Sequence, residues 1–249
     1  MRWLPVWQRN LLVWRKLAGT SVIGNLADPL IYMLGLGYGL GKLIPEMGGM
    51  SYLAFVASGT VCYSTMNSAT FEAMYSGFSR MHVQKTWDAM LNAPLSLDDI
   101  VLAETMWAAS KSLLSGICIL FIASLFGLTQ GWLWLWILPI VFLIGLCFAS
   151  LGMIMTAIAP SYDFFMYWFT LAITPMMLIS GVWFPADQLP AIVQTLAACL
   201  PLSHAVQLVR PLMTGQLPVQ TLLHVSVLLG YIVVAYLIAH TLLQRRLLK

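Results

Sequence analysis

The sequence predicts an all-α, polytopic integral membrane protein: six transmembrane helices, an N-terminal amphipathic interface helix and an extracytoplasmic re-entrant helical hairpin. Three observations carry that prediction. Of the 249 residues, 60% are apolar and 8% are charged, whereas a soluble domain carries about 25% charged residues. Apolar stretches recur along the chain, and crossing a hydrocarbon core takes roughly 20 residues each. The lysines and arginines fall in segments that six crossings would gather on one side. The whole chain, 1–249, reads as one transmembrane domain. The net charge of +3 gives no reason to expect a nucleic-acid partner.

Residues 3–18 form the first element. Trp3, Trp7, Leu11 and Trp14 recur at helical spacing, with Arg2, Arg9 and Lys16 on another face. Tryptophans opposite basic residues suit a helix lying in the membrane interface. The alternative is a juxtamembrane stretch with anchoring tryptophans. Arg9, Arg15 and Lys16 break the apolar run that a cleavable signal would need.

The first span covers 26–44, with Asp28 as N-cap and Pro29 at the first helical position, or with Pro29 as a kink in a longer helix. Gly35 and Gly39 share one face of its end, as do Gly37 and Gly41, and paired glycines allow helices to approach closely. Gly41-Lys42 suggests a phosphate loop. Leu36 stands where that motif needs Gly, and Leu43 where it needs Ser or Thr. The second span, 52–75, is the most polar, with Ser58, Thr60, Ser64, Thr65, Asn67, Ser68 and Thr70 available for packing or for lining a path. The remaining spans are 100–126, 132–158, 164–183 and 222–243. Ser96 is expected to cap the third and Asp163 the fifth.

Nine of the 12 lysines and arginines fall in the N-terminal arm (Arg2, Arg9, Arg15, Lys16), the loop after span two (Arg80, Lys85) and the C-terminal tail (Arg245, Arg246, Lys249). Lys42 and Arg210 fall on the other side, and Lys111 lies within span three. Both termini are therefore expected in the cytoplasm. Cys62, Cys118, Cys147 and Cys199 form no CxxC pair, and His204, His224 and His240 lack ligand spacing. Neither a disulfide framework nor a metal site is expected.

Two segments stand out. Within 83–94, a short helix over Thr86 to Asn92 is expected, capped by Thr86 and followed by Pro94. Trp87, Met90 and Leu91 then make a small apolar face, which either meets a partner protein or folds back onto the chain. Between spans five and six, 186–214 holds two apolar stretches flanking Pro201, each too short to cross the core and too apolar for a free loop. A hairpin dipping into the outer leaflet fits, as does a lid on the outer surface. Ionisable groups at membrane depth are costly and often functional. Glu72, Glu104 and Lys111 are therefore candidates. Glu104 and Lys111 share a face of span three without pairing directly.

In these two segments the chain resembles the ABC-2 family of ATP-driven exporter permeases, with its nearest likeness to the nodulation-type lipo-oligosaccharide exporters. The family's coupling helix has the flavour T-x-E-x-x-L-x-x-P. Here it stands as Thr86-Trp-Asp-Ala-Met-Leu-Asn-Ala-Pro94, with Asp88 where Glu is commoner. The extracellular signature is similar to Ser180-Gly-Val-Trp-Phe-Pro185, Leu189-Pro190, Leu200-Pro-Leu-Ser-His204 and Val209-Arg210. The resemblance implies a bacterial inner-membrane homodimer of this permease bound to two copies of a separate ATPase. ATP and Mg would be held by that partner, with no cofactor and no catalysis on this chain, and the cargo would be a lipo-oligosaccharide or other glycoconjugate. It further implies coupling through Lys85, Thr86, Trp87, Asp88, Met90, Leu91 and Pro94. A substrate path or gate would involve Glu72, Glu104, Lys111, Trp183, Phe184 and Arg210. Gly35, Gly37, Gly39 and Gly41 would pack helices or protomers. A drug or lipid cargo, or an ion-driven carrier, are the competing readings. A carrier usually shows internal repeats, and the sequence has none.

Overall fold

The computed structural model describes residues 2–44 and 46–248, without the side chains of Asn25, Leu26 and Asp28. Lys249, counted above among the tail charges, lies outside the described residues.

The amphipathic segment forms α1 (Leu4–Arg15), with Pro5 in its first turn, where a missing N–H costs no helical bond. α2 (Ala18–Gly41) follows at 84° to it. Trp7 and Trp14 do not face outward. Both pack edge-on against Trp107, and Trp7 Nε1 donates to Ser110 Oγ at 3.1 Å. Leu4, Leu12, Val13 and Leu17 are the exposed large hydrophobic residues here. α2 begins at Ala18 and carries Pro29 inside it, so the helix does not start at Leu26 and the longer-helix alternative is the observed one. Neighbouring helices can satisfy the carbonyl that such a proline frees. The Asp28 side chain, assigned above to capping, is outside the described residues.

A tight antiparallel pair, β1 (Glu46–Met47) with β2 (Met50–Ser51), reverses the chain through Gly48 and Gly49, both at positive φ. Ser51 caps α3 (Tyr52–Phe71) by accepting from the Ala54 amide. The helix does not stop at residue 75. It runs on through π turns at Glu72–Ser76 and Ser79–Val83, so the first part of the expected loop is helical. Lys85, at φ 50°, makes the sharp turn into α4 (Thr86–Leu91). Ser96 then builds the full capping box with Asp99 at the start of α5 (Leu97–Leu125).

A 3-10 turn (Leu133–Trp136) leads into α6 (Ile137–Ile158). α7 (Phe164–Trp168) and α8 (Thr174–Ile179) flank a π turn. Asp163 precedes α7 but makes no side-chain cap bond, which corrects its expected role. α9 (Ala191–Cys199) and α10 (Pro201–Met213) meet at 86° around Leu200-Pro201, since a proline cannot continue the preceding helix. α11 (Thr221–Leu247) ends the chain. Its Arg246 is not a free tail charge: Nη1 donates to the carbonyls of Thr156, Ala157 and Ala159. A cation thus closes the C-terminus of α6, where carbonyls lack helical partners.

Among the described residues, three helices are long and apolar enough to cross a membrane: Leu97–Leu125, Leu133–Ile158 and Thr221–Leu247. Counting each bent pair as one span, α1 with α2 and α9 with α10, raises the number to five. α3 falls short because of its hydroxyls, yet it is the most enclosed helix, buried along most of its length. Thr60 and Thr65 return their hydroxyls to the carbonyls of Val56 and Val61, and Ser64 bonds Ser115 across to α5 at 2.7 Å. A helix shielded on all sides by other helices has no need of an apolar surface.

Small residues set the closest crossings, though not mainly at the predicted stripe. A Cβ at Gly37 would meet Leu53, while Gly35 and Gly39 have open space and Gly41 barely reaches Tyr52. The tight contacts are Gly116 against Val141 and Thr65, Gly145 against Ser112, and Gly152 against Ala73. Tightest against backbone is Gly59, where a Cβ would lie 2.3 Å from the Val182 carbonyl oxygen. Gly59→Ala is expected to destabilise the protein by ~1–3 kcal/mol, the usual cost of overpacking. Thermal unfolding in detergent checks this, with Gly230→Ala, where a Cβ would meet nothing within 4 Å, as the control expected to unfold like the unmutated protein.

Candidate functional site

The helical continuation of α3 beyond Phe71 positions the main polar centre. Glu72, Ser76 and Arg80 lie four residues apart and so share one face. That face meets Glu104, Trp107 and Lys111 of α5. Arg80 Nε donates to both oxygens of Glu104 at 3.0 Å, and its Nη1 reaches Glu72 Oε1 at 3.0 Å. Lys111 Nζ donates to Glu72 Oε2 at 2.7 Å. Trp107 Nε1 donates to Glu72 Oε1 at 2.8 Å and Ser76 Oγ to Oε2 at 2.9 Å. Trp87 Nε1, from α4, donates to Glu104 Oε1 at 3.3 Å. The side chains of Glu72 and Glu104 are 4% and 1% exposed, so the pairs are desolvated and each carboxylate depends on its donors.

Glu72 and Glu104 are buried between the helices, and Lys111 pairs with Glu72. Glu104 and Lys111, expected not to pair directly, are linked through Arg80 and Glu72. Arg80 is a buried partner of two carboxylates rather than a loop charge. Every oxygen of Glu72 and Glu104 already accepts from at least one donor, so the cluster acts as a fastener between helices, with no carboxylate free for acid–base work. Among the described residues no three metal-ligating side chains converge.

The apolar face of α4 folds back. Trp87 is fully buried and Met90 is 9% exposed, while Leu91 is half-buried. The exposed residues are Lys85 just before α4, Asp88 and Ala89 on it and, past its end, Asn92, Ala93 and Pro94. Thr86 is the first helical residue rather than the cap, and makes no cap bond. The burial has a plain reason: an indole is a large apolar body with one donor, and Glu104 accepts from that donor in the interior.

At the other end of the bundle, Arg210 of α10 ties the hairpin to α3. Its Nε donates to Ser58 Oγ at 3.1 Å, its Nη2 donates to the Gly181 carbonyl at 2.7 Å, and its guanidinium lies 3.6 Å from the Phe55 ring centroid. Trp183 is nearly buried and packs with Tyr32 and Tyr63, while Phe184 is half-buried beside it in sequence. His204 and His224, which lack ligand spacing in the sequence, meet at 2.7 Å between their Nδ1 atoms, joining α10 to α11. Their separation in the chain concealed this. The spacing of Glu72, Ser76 and Arg80 was the sequence signal for the ionic cluster, hidden by assigning a helix end at residue 75.

Comparison with known proteins adds four findings. Residues 3–214 match the family model described as ABC-2 type transporter. The chain is 49% identical over its full length to nodulation protein J of Rhizobium leguminosarum bv. viciae, spanning 96% of that protein. It is 46% identical to nodulation protein J of Rhizobium meliloti (strain 1021), over 99% of this chain and 94% of the relative. It is also 23% identical to the inner membrane transport permease YadH of Escherichia coli (strain K12), over 96% of this chain and 93% of that protein.

Proposed function

The chain belongs to the ABC-2 type transporter family, and on that premise we propose that it is the permease subunit of an ATP-driven exporter whose ATP and Mg are handled by a separate ATPase, present in two copies. The permease works as a homodimer in the bacterial inner membrane with both termini in the cytoplasm. Six crossings are assigned: the five elements identified by length and apolarity, taken with α3 and the α7–α8 pair, and with the α9–α10 hairpin re-entrant rather than spanning. The cargo is a lipo-oligosaccharide or related glycoconjugate. The cluster of Tyr32, Tyr63 and Trp183 supports this cargo, because aromatic faces suit sugar rings.

One observation carries the coupling role: Trp87 of α4 donates into the same ionic cluster that binds α3 to α5. A push by the ATPase on the outward face of α4 therefore acts on both helices at once. The open space around Gly35 and Gly39 supports a second copy packing on α2. Cysteines placed there should cross-link between copies, and a monomeric permease would sink that assignment.

Leu91→Asp tests the coupling. Leu91 is only half-buried, so the folded permease should survive while an ATPase surface is lost. The expected result is ATP hydrolysis that no longer responds to cargo, together with loss of export from cells. Normal export by this variant would refute a coupling role for α4.

A further inference from the structure

We propose that a cleft between α1 and the ionic cluster binds the phosphodiester headgroup of an anionic membrane lipid, seated from the leaflet on which α1 lies. The cavity is about 470 Å³, within the size range of small-molecule sites. Its polar wall holds Arg9, Asn10, Arg80 and Lys111, and its apolar wall includes Val13 and Leu17.

Charge balance argues for an anion. Arg9, Arg80 and Lys111 supply three positive charges, and Glu72 and Glu104 supply two negative ones. Arg80 and Lys111 are paired with those carboxylates. Among the described residues Arg9 makes no ion pair. Its Nη1 donates only to Asn10 Oδ1, at 3.2 Å. Glu72 also lines the cleft, but both of its oxygens are occupied by Arg80, Trp107, Lys111 and Ser76. The surplus is one positive charge, and a phosphodiester carries one negative charge.

A second observation points the same way. Asn10 is 4% exposed, lines the cleft, and its Nδ2 has no partner among the described residues. A buried donor without an acceptor is costly, and a phosphate oxygen is a strong acceptor. Beside this donor, Val13 and Leu17 are 54% and 64% exposed, and they offer acyl chains a seat next to the headgroup. Free phosphate would use only the polar wall. A zwitterionic lipid would bring a second cation to a centre that already has one in excess.

Native mass spectrometry of the full chain, released from detergent after exposure to defined lipids, tests the site without reference to transport. The unmutated protein should retain phosphatidylglycerol over phosphatidylcholine. Inorganic phosphate at equal concentration should not displace the lipid. Arg9→Gln should weaken retention about tenfold, the equivalent of ~1.4 kcal/mol, while Arg9→Lys should restore most of it. Arg2→Gln, just before the same helix and outside the cleft, should retain lipid normally. The proposal is overturned by equal retention of both lipids, by displacement with phosphate, by undiminished retention in Arg9→Gln, or by an equal loss in Arg2→Gln.

Discussion

Arg80→Met is expected to destabilise the permease by ~3–5 kcal/mol, because it leaves a buried ion group with an uncompensated charge. Arg80 is the only cation within pairing distance of Glu104 among the described residues and one of two on Glu72. Without it, Glu72 keeps Lys111, while the desolvated Glu104 is left with no cation and only the Trp87 donor. Unfolding in detergent should shift to markedly lower temperature, and export should fail. The sharper measurement is a cycle with Glu104→Gln. Neutralising the stranded carboxylate removes the charge that Arg80 balanced, so the double variant should be more stable than Arg80→Met alone. If the two substitutions simply add, the geometry described here is wrong, since contacting charges couple.

Trp87→Ala is expected to cost ~3–5 kcal/mol, the range for emptying a large aromatic site in a core. Trp87 is wholly buried, and its loss removes both the packing of α4 and one donor to Glu104. Trp87→Ala and Leu91→Asp should therefore fail in different ways. The first should loosen α4 itself, seen as faster hydrogen exchange over 84–93 in the purified permease and a lower unfolding temperature. The second should leave both unchanged and lose only its response to the ATPase. Unaltered exchange in Trp87→Ala would mean that α4 is held by something other than its indole anchor. Trp87→Phe separates the two contributions: it keeps most of the apolar body and loses the donor, so it should lie between the unmutated protein and Trp87→Ala.

The sequence made the outline legible where the signal was local. The cap at Ser96 was expected, and it formed, with Asp99 three residues on completing a capping box. The short helix at Thr86–Leu91 and the helix break at Pro201 rest on turn chemistry and proline, and both were found. Misreadings arose where a local signal competed with tertiary context. Asp28-Pro29 has the pattern of a helix start, but packing carries the helix through it. Glycines at 35 to 41 have the pattern of a close crossing, but only Gly37 makes one within the chain. The closest approach to backbone, at Gly59, is to a carbonyl more than one hundred residues away, which no window of sequence contains.

Composition and the placement of basic residues determined by themselves that this is a helical membrane protein, because the cost of burying charge in lipid acts on every residue regardless of fold. The two family-like segments were likewise readable from their order of residues. Tertiary structure decided the use of the ionisable groups. Glu72, Arg80, Glu104 and Lys111 span 40 residues and two helices, and desolvation allows them in the interior only as a set. Whether each is a liability, an anchor or a free charge is a matter of which partner comes within 3 Å, and that is fixed only when α3, α4 and α5 pack together.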